Sequence, residues 1–309
     1  MSHVEFAVQG GVGRIVLNRP EAINALSLGM LHTIEDTVGG WLAAGAVDAI
    51  DISGVGERGY CAGADVRQLR DLLLQDEAAA VAFLRDEYRV DTLLATAPVP
   101  VVAHLDGIAM GGGLGLGQHG QRRLGGPGTR WAMPEVGIGL WPDVGVLHEL
   151  SRLPGELGTH LALTGQTIDG AAALYAGLLD EAPGADPAAS DLARDAAWIA
   201  DCYTGDDPIA ILGRLESHSQ PRARAAAGLI RSRSPLSVVV ALAAVRRAAT
   251  LPDVAAVLAQ DVRLAERFLV HSDVAEGIRA QLIDKDRRPR WACARVEDVP
   301  TSAVAALFD

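Results

Sequence analysis

Glu135 and Asp143 stand eight residues apart in the segment 133–145 (MPEVGIGLWPDVG), each directly after a proline. Their neighbours are apolar: Met133, Val136, Ile138, Leu140, Trp141 and Val144. Gly137, Gly139, Gly145 and Pro142 disfavour one continuous helix, so the segment is expected to bend. A carboxylate among apolar neighbours is costly to bury unless it is paired or holds a proton. That cost is what makes a carboxyl group a base or a nucleophile near neutral pH. The alternative is that both acids are loop-surface groups or helix caps.

Two further stretches are built of small residues where a strand hands over to a helix. One is residues 59–65 (GYCAGAD), the other residues 106–115 (DGIAMGGGLG). Backbone N–H groups at a helix start lack partners, and the helix dipole adds positive charge there. Two such ends aimed at one point would stabilise a developing oxyanion without a charged side chain. Ordinary tight turns, with glycine supplying positive φ, are the competing explanation. Arg67 and Arg70 follow the first stretch one helical turn apart, placed to meet ligand phosphates or simply to face water.

Several other chemistries are disfavoured. Gly115–Gly120 spells GxGxxG but does not follow a strand directly, as a dinucleotide site requires. Lys285, the one lysine, has no P-loop glycines before it, and no GxSxG elbow occurs. His104, His119, His148 and His160 lack metal-ligand spacing such as HExxH, so no metal is expected. His104 and His119 read as structural or pocket-lining groups. Cys61 lies at a helix start, but a buried inert thiol is the better reading.

The elements that must position these groups alternate in the first half. Strands are expected at residues 14–17, 47–52 and 98–104, and helices at 26–44, 65–74 (capped by Asp65) and 77–96. The alternation predicts parallel pairing and an α/β fold. Residues 209–231 (interrupted at Pro221), 237–249, 254–270 and 273–282 read as helices, and no strand pattern appears there. A soft boundary near Gly205–Pro208 divides a core, 1–205, from a helical C-terminal region, 206–309.

The 309 residues include 49% hydrophobic and 21% charged residues, with a net charge of −12. An acidic chain argues against nucleic-acid binding but leaves room for a small anionic ligand held by a few donors. Cys61, Cys202 and Cys293 are odd in number and form no CxxC, which fits free thiols in a reducing cytoplasm. The N-terminus has no basic region followed by an apolar stretch, so no signal peptide is expected. The apolar stretch 236–245 is cut by Arg246 and Arg247, short of the roughly 20 residues that cross a bilayer.

At these clusters the chain resembles the enoyl-CoA hydratase/isomerase (crotonase) superfamily, and within it the 3-hydroxyisobutyryl-CoA hydrolase branch. The resemblance rests on NRP…NAL (18–26), YCAGAD (60–65), Phe83…Glu87-Tyr88, His104…Gly107…Met110–Gly113 and HGQ (119–121). It continues through AMPE (132–135), IGLWPDVG (138–145), LALTG (161–165), Ala176-Gly177, EGIRA (276–280) and LIDKD (282–286), almost the whole chain. It implies a spiral of ββα repeats with a helical C-terminal region. It also implies an acyl-CoA thioester substrate, no further cofactor, and assembly as a homotrimer or hexamer. The backbone N–H groups of Ala64 and Gly112 match the family's oxyanion hole. Glu135 matches its catalytic glutamate, and Asp143 an acid of the hydrolase branch. Ala62, Gly63, Asp65, Gly111 and Arg67 fall among its substrate-binding positions. The implied reaction releases 3-hydroxyisobutyrate and CoA, a step of valine breakdown. The alternatives are a hydratase or isomerase on another acyl-CoA, or a non-catalytic acyl-CoA binder. Hydratases typically carry a second glutamate after the glycine triplet, where this chain has Gly115. Ala64 stands where the hydrolases more often have glycine, and Val146 replaces a glycine.

Overall fold

A computed structural model describes residues 3–269 and 273–308. The chain opens with β1 (Val4–Gln9) and β2 (Val12–Leu17), a hairpin followed by helix α1 (Leu28–Ala44). In β2 Gly13, Ile15 and Leu17 are buried while Arg14 is exposed, the period-two pattern of a strand with one covered face. Ser27 caps α1 by accepting from the Met30 N–H, and the helix ends at Gly45 in the left-handed region. Next come β3 (Ala49–Gly54), α2 (Val66–Gln75) and α3 (Glu77–Ala95). Asp65 caps α2 through Gln68 N–H, as its position predicts.

The glycine triplet then lies between β4 (Val101–His104), β5 (Ile108–Met110) and the short helix α4 (Gly112–Gly117). The remaining strands are β6 (Arg122–Leu124), β7 (Arg130–Ala132) and β8 (Ile168–Asp169). One sheet has the order β1-β2-β3-β4-β6, the other β5-β7-β8. The β1–β2 and β7–β8 pairs are antiparallel, and every other pair is parallel. The hairpin strand β1 has no counterpart among the expected strands. Strands β5 to β8 have two or three residues each, too few to show a period.

The later helices are Pro208–Ser217, Pro221–Arg231, Pro235–Ala248 and Val254–Phe268, each with proline or an Asp cap at its start. The expected helix 254–270 ends inside the described residues at Phe268, and residue 270 lies outside them. The expected helix 273–282 is an α-helix, Asp273–Ile278, continued by a π-turn, Arg279–Ile283. One hydrophobic core runs from Val4 to Leu307 through both halves of the chain. Among the described residues no single helix is long and apolar enough to cross a membrane. Cys61, Cys202 and Cys293 are free.

Candidate active site

Nine of the ten residues singled out as catalytic or ligand-binding line one cavity of about 830 Å³: Ala62, Gly63, Ala64, Asp65, Arg67, Gly111, Gly112, Glu135 and Asp143; Arg70, the tenth, is not on its lining and donates to Ala275 O. A second cavity, about 470 Å³ beside His160 and Trp198, contains none of them.

Two turns deliver backbone amides to this cavity. Gly63 (φ 106°) precedes Ala64, and Gly111 (φ 50°) precedes Gly112, so a glycine in the left-handed half of conformational space aims each following N–H. The turns are stitched together by bonds from Cys61 N–H to Ile108 O and from Met110 N–H to Cys61 O. A Cβ placed on Gly63 would lie 3.3 Å from Gly112 N, and one on Gly112 would lie 3.0 Å from Ala64 N. The two amides are therefore neighbours, and among the described residues neither has a hydrogen-bond acceptor. A carbonyl oxygen reaching both would find two fixed donors.

Carboxyl groups face these amides. Glu135 opens a 3-10 turn, Glu135–Gly137, after Pro134. Its Oε1 is 2.7 Å from the point where a Gly111 Cβ would be, and its buried Oε2 has no hydrogen-bond partner among the described residues. Asp143 is buried and accepts a 2.6 Å hydrogen bond from the Tyr88 hydroxyl. Of the two readings of these acids, the structure shows the buried one.

Three more buried acids surround them. Glu87 and Asp91 lie one turn apart on α3 and point at α4. A Cβ on Gly112 would come within 1.8 Å of Glu87 Oε1, and one on Gly115 within 2.5 Å of Asp91 Oδ1. The bareness of α4 is therefore what lets α3 approach with its carboxyl groups. Among the described residues Glu87 Oε1 and both Asp91 oxygens have no hydrogen-bond partner, and Glu87 lines the cavity. Asp261, on the helix Val254–Phe268, accepts from Trp141 Nε1 and Gly145 N–H.

Burial, then the charge of Asp143, raises the proton affinity of Glu135 and Glu87. Burial, then Glu87, does the same for Asp91. Burial pushes Asp143 up to about 6, against the downward pull of the Tyr88 bond. Folding thus takes up protons; the stability Asp143 adds is full below about pH 4 and lost as pH rises through about 6, and that of the other three is lost as pH rises through their own raised values. For Asp143 alone this is about 3 kcal/mol. The melting temperature is expected to rise between pH 7.5 and pH 5.5, and Asp91→Asn to shrink that rise. Thermal unfolding across this range, flat for the wild type, would contradict the picture.

The other residues at the cavity are held by contacts of their own. Asp65 pairs with Arg19 at 2.7 Å, so its carboxylate is occupied by the cap and this ion pair. Arg67 donates to Leu282 O. Arg19, Arg58, Arg233 and Lys285 join Arg67 on the lining, beside the acids Glu21, Asp65, Glu87, Glu135 and Asp143. His104 pairs with Asp51 and His119 with Glu149, structural contacts as their positions suggest. Among the described residues no group of three or more His, Cys, Asp or Glu is arranged to hold a metal ion.

Residue type and spacing did not single out Glu87, Asp91 or Asp261 as site groups. The signal for the first two is their place in the buried stripe of α3, beside Phe83, Leu84, Tyr88 and Leu94.

The family of enzymes that this fold and constellation define is also found by comparison. The enoyl-CoA hydratase/isomerase family matches residues 12–183 and 179–308. The chain belongs to that family and is an enzyme of it. It is 33% identical to the mitochondrial 3-hydroxyisobutyryl-CoA hydrolase of Gallus gallus, over 97% of this chain and 87% of that one. The human protein of the same name is 32% identical, over 94% and 84%. Among solved structures, a carnitinyl-CoA dehydratase from Mycobacterium thermoresistibile superposes with a TM-score of 0.93 at 41% identity, covering 100% of this chain and 97% of that one. An enoyl-CoA hydratase from Rhodobacter sphaeroides 2.4.1 gives 0.93 at 33%, covering 99% and 97%.

Proposed function

We propose that the protein hydrolyses an acyl-CoA thioester, with 3-hydroxyisobutyryl-CoA as the substrate. The observation that carries this reading is the pairing of two unpartnered amides, Ala64 and Gly112, with a buried carboxyl group, Glu135, in one cavity. The amides would hold the thioester oxygen as it gains charge. Glu135 would attack the carbonyl carbon to give a mixed anhydride, or take a proton from an attacking water. In either route the C–S bond breaks, CoA leaves as the thiol, and water supplies the oxygen of the product acid. Asp143 would orient Glu135 or the water and tune its proton affinity. The basic residues at the cavity suit the phosphates of CoA, and Glu87 beside Gly112 suits a hydroxyl on the acyl chain.

The curated relatives named as hydrolases support this reading, whereas the solved structures carry dehydratase and hydratase names. Hydratase chemistry on the usual plan needs a carboxylate reaching from position 115. Gly115 has none, and the Asp91 carboxyl fills the space at its side. One assay separates the two. Purified protein is mixed with 3-hydroxyisobutyryl-CoA and free thiol is followed, then with crotonyl-CoA and loss of the enoyl absorbance is followed. Thiol release without enoyl loss is expected. Enoyl loss without thiol release would overturn the proposal.

A further inference from the structure

Asp143 sits on a loop whose backbone is strained. Val144, the next residue, has φ 52° and is fully buried. A β-branched residue takes up the left-handed region only where its surroundings impose it. Gly145 follows at φ 76°. A Cβ on it would lie 2.9 Å from Leu258 and 3.0 Å from His119 Nε2, so the loop is pressed against both.

Two buried side chains grip this loop. Asp261 accepts from Trp141 Nε1 at 2.9 Å and from Gly145 N–H at 2.9 Å, one bond on each side of Asp143. His119 contacts Val144 O through Nε2 at 2.8 Å and Glu149 Oε1 through Nδ1 at 2.8 Å. Val144 O is an acceptor and so is a Glu149 carboxylate, which makes both ring nitrogens donors and the ring an imidazolium. Its side chain is only 3% exposed. Burial disfavours that charge, but the Glu149 carboxylate and the two hydrogen bonds outweigh burial and hold its pKa above the ordinary value. The helix carrying Asp261 packs on α3, whose Tyr88 holds the Asp143 carboxyl itself. The loop is thus fixed at its side chain from α3 and at its backbone by His119 and Asp261.

We propose that Asp261 and His119 are positioning residues for the hydrolysis, which clamp the strained backbone around Val144 so that Asp143 points into the cavity beside Glu135. This rests on the thioesterase reading, but it concerns residues that touch neither the substrate nor the reacting atoms. Asp261 interacts with Asp143, His119, Asp91 and Tyr88. His119 interacts with Glu149, Asp261 and His148. These are the groups that shape the pH response.

The test is steady-state thiol release by the full chain and its variants. In Asp261→Asn the amide nitrogen faces an N–H donor, so one of the two grips is lost. Misplacement of a catalytic group by about an ångström costs up to about 100-fold, so kcat is expected to fall about 10- to 100-fold with KM little changed. The acid limb of the kcat profile should stay in place, because burial and the charge of Asp143 hold the Asp261 carboxyl well above the usual carboxylate range and Asn replaces it without removing a charge. His119→Gln, which can still donate to Val144 O, should retain more activity than His119→Ala. Trp141→Phe removes one grip without altering a charge and should lower kcat without moving the limb. It also serves as the second probe if Asp261→Asn does not fold. Unchanged kcat in Asp261→Asn, or in Trp141→Phe where only that variant folds, overturns the clamp. Equal losses in the two His119 variants, in step with their melting temperatures, also overturn it. A wild-type protein that releases no thiol would instead sink the proposed function, so the two failures are distinguishable.

Discussion

Glu135→Gln is expected to lower kcat for thioester hydrolysis by about 10³-fold or more. The glutamine has nearly the same shape, so the 3-10 turn and the cavity wall should persist. It can neither accept a proton from water nor form an anhydride, so it blocks both routes open to the carboxylate. Among the described residues Glu135 Oε2 has no hydrogen-bond partner, so no bond to that oxygen is lost in the variant. The amides of Ala64 and Gly112 and the basic residues at the cavity are untouched, so binding of CoA, measured by calorimetry, should stay close to the wild-type affinity. Removing one buried acid also relieves Glu87, which shares its surroundings with Glu135. The variant should therefore be as stable as the wild type or more so near neutral pH. A near-normal kcat would show that the carboxyl group at 135 is a bystander. Loss of CoA affinity in parallel with kcat would assign it to binding.

Much of the candidate site could be read from local sequence because it is built from local devices. Glycines that permit positive φ, prolines that end a helix, and acids placed among apolar residues each leave a mark within about ten positions. Asp143 and Glu135 fall in one such segment, and Ala64 and Gly112 in two others. The meeting of those segments is a tertiary fact, made by the bonds between residues 61, 108 and 110. Family resemblance supplied it, whereas spacing alone did not. Glu87 was legible only as part of a motif, because a lone acid in a helical stretch reads by default as a solvated face. It declares itself only when α3 is laid out as a helix and residues 80, 83, 84, 87, 88, 91 and 94 fall on its buried side. Asp261 left no local sign at all. Its partners are Trp141 and Gly145, more than a hundred residues earlier, and it reaches them only once the helix Val254–Phe268 packs against α3. The two- and three-residue strands were invisible for the opposite reason, since so short an element has no pattern to show.

Gly112→Ala should be nearly as damaging as loss of an oxyanion donor, about 10²- to 10³-fold in kcat. The methyl group would lie 1.8 Å from Glu87 Oε1 and 3.0 Å from Ala64 N, both closer than any real contact allows or nearly so. Glu87 Oε1 ends a flexible side chain that lines the cavity and can turn aside, but Ala64 N is backbone and cannot. The strain at Ala64 must then be relieved by moving the first turn of α4. That turn carries the Gly112 N–H, and a donor displaced from the oxygen it must meet contributes little, since such bonds weaken steeply with length and angle. Ala64→Gly is the contrasting change. It keeps both amides and adds no atoms, so it should leave kcat close to that of the wild type. The pair separates the two possible uses of these positions. If small side chains matter only for packing, both variants should lose stability and neither should lose kcat selectively. If the amides act on the thioester oxygen, Gly112→Ala loses kcat beyond any fall in melting temperature while Ala64→Gly does not. A Gly112→Ala protein with wild-type turnover would remove the amide at 112 from the mechanism.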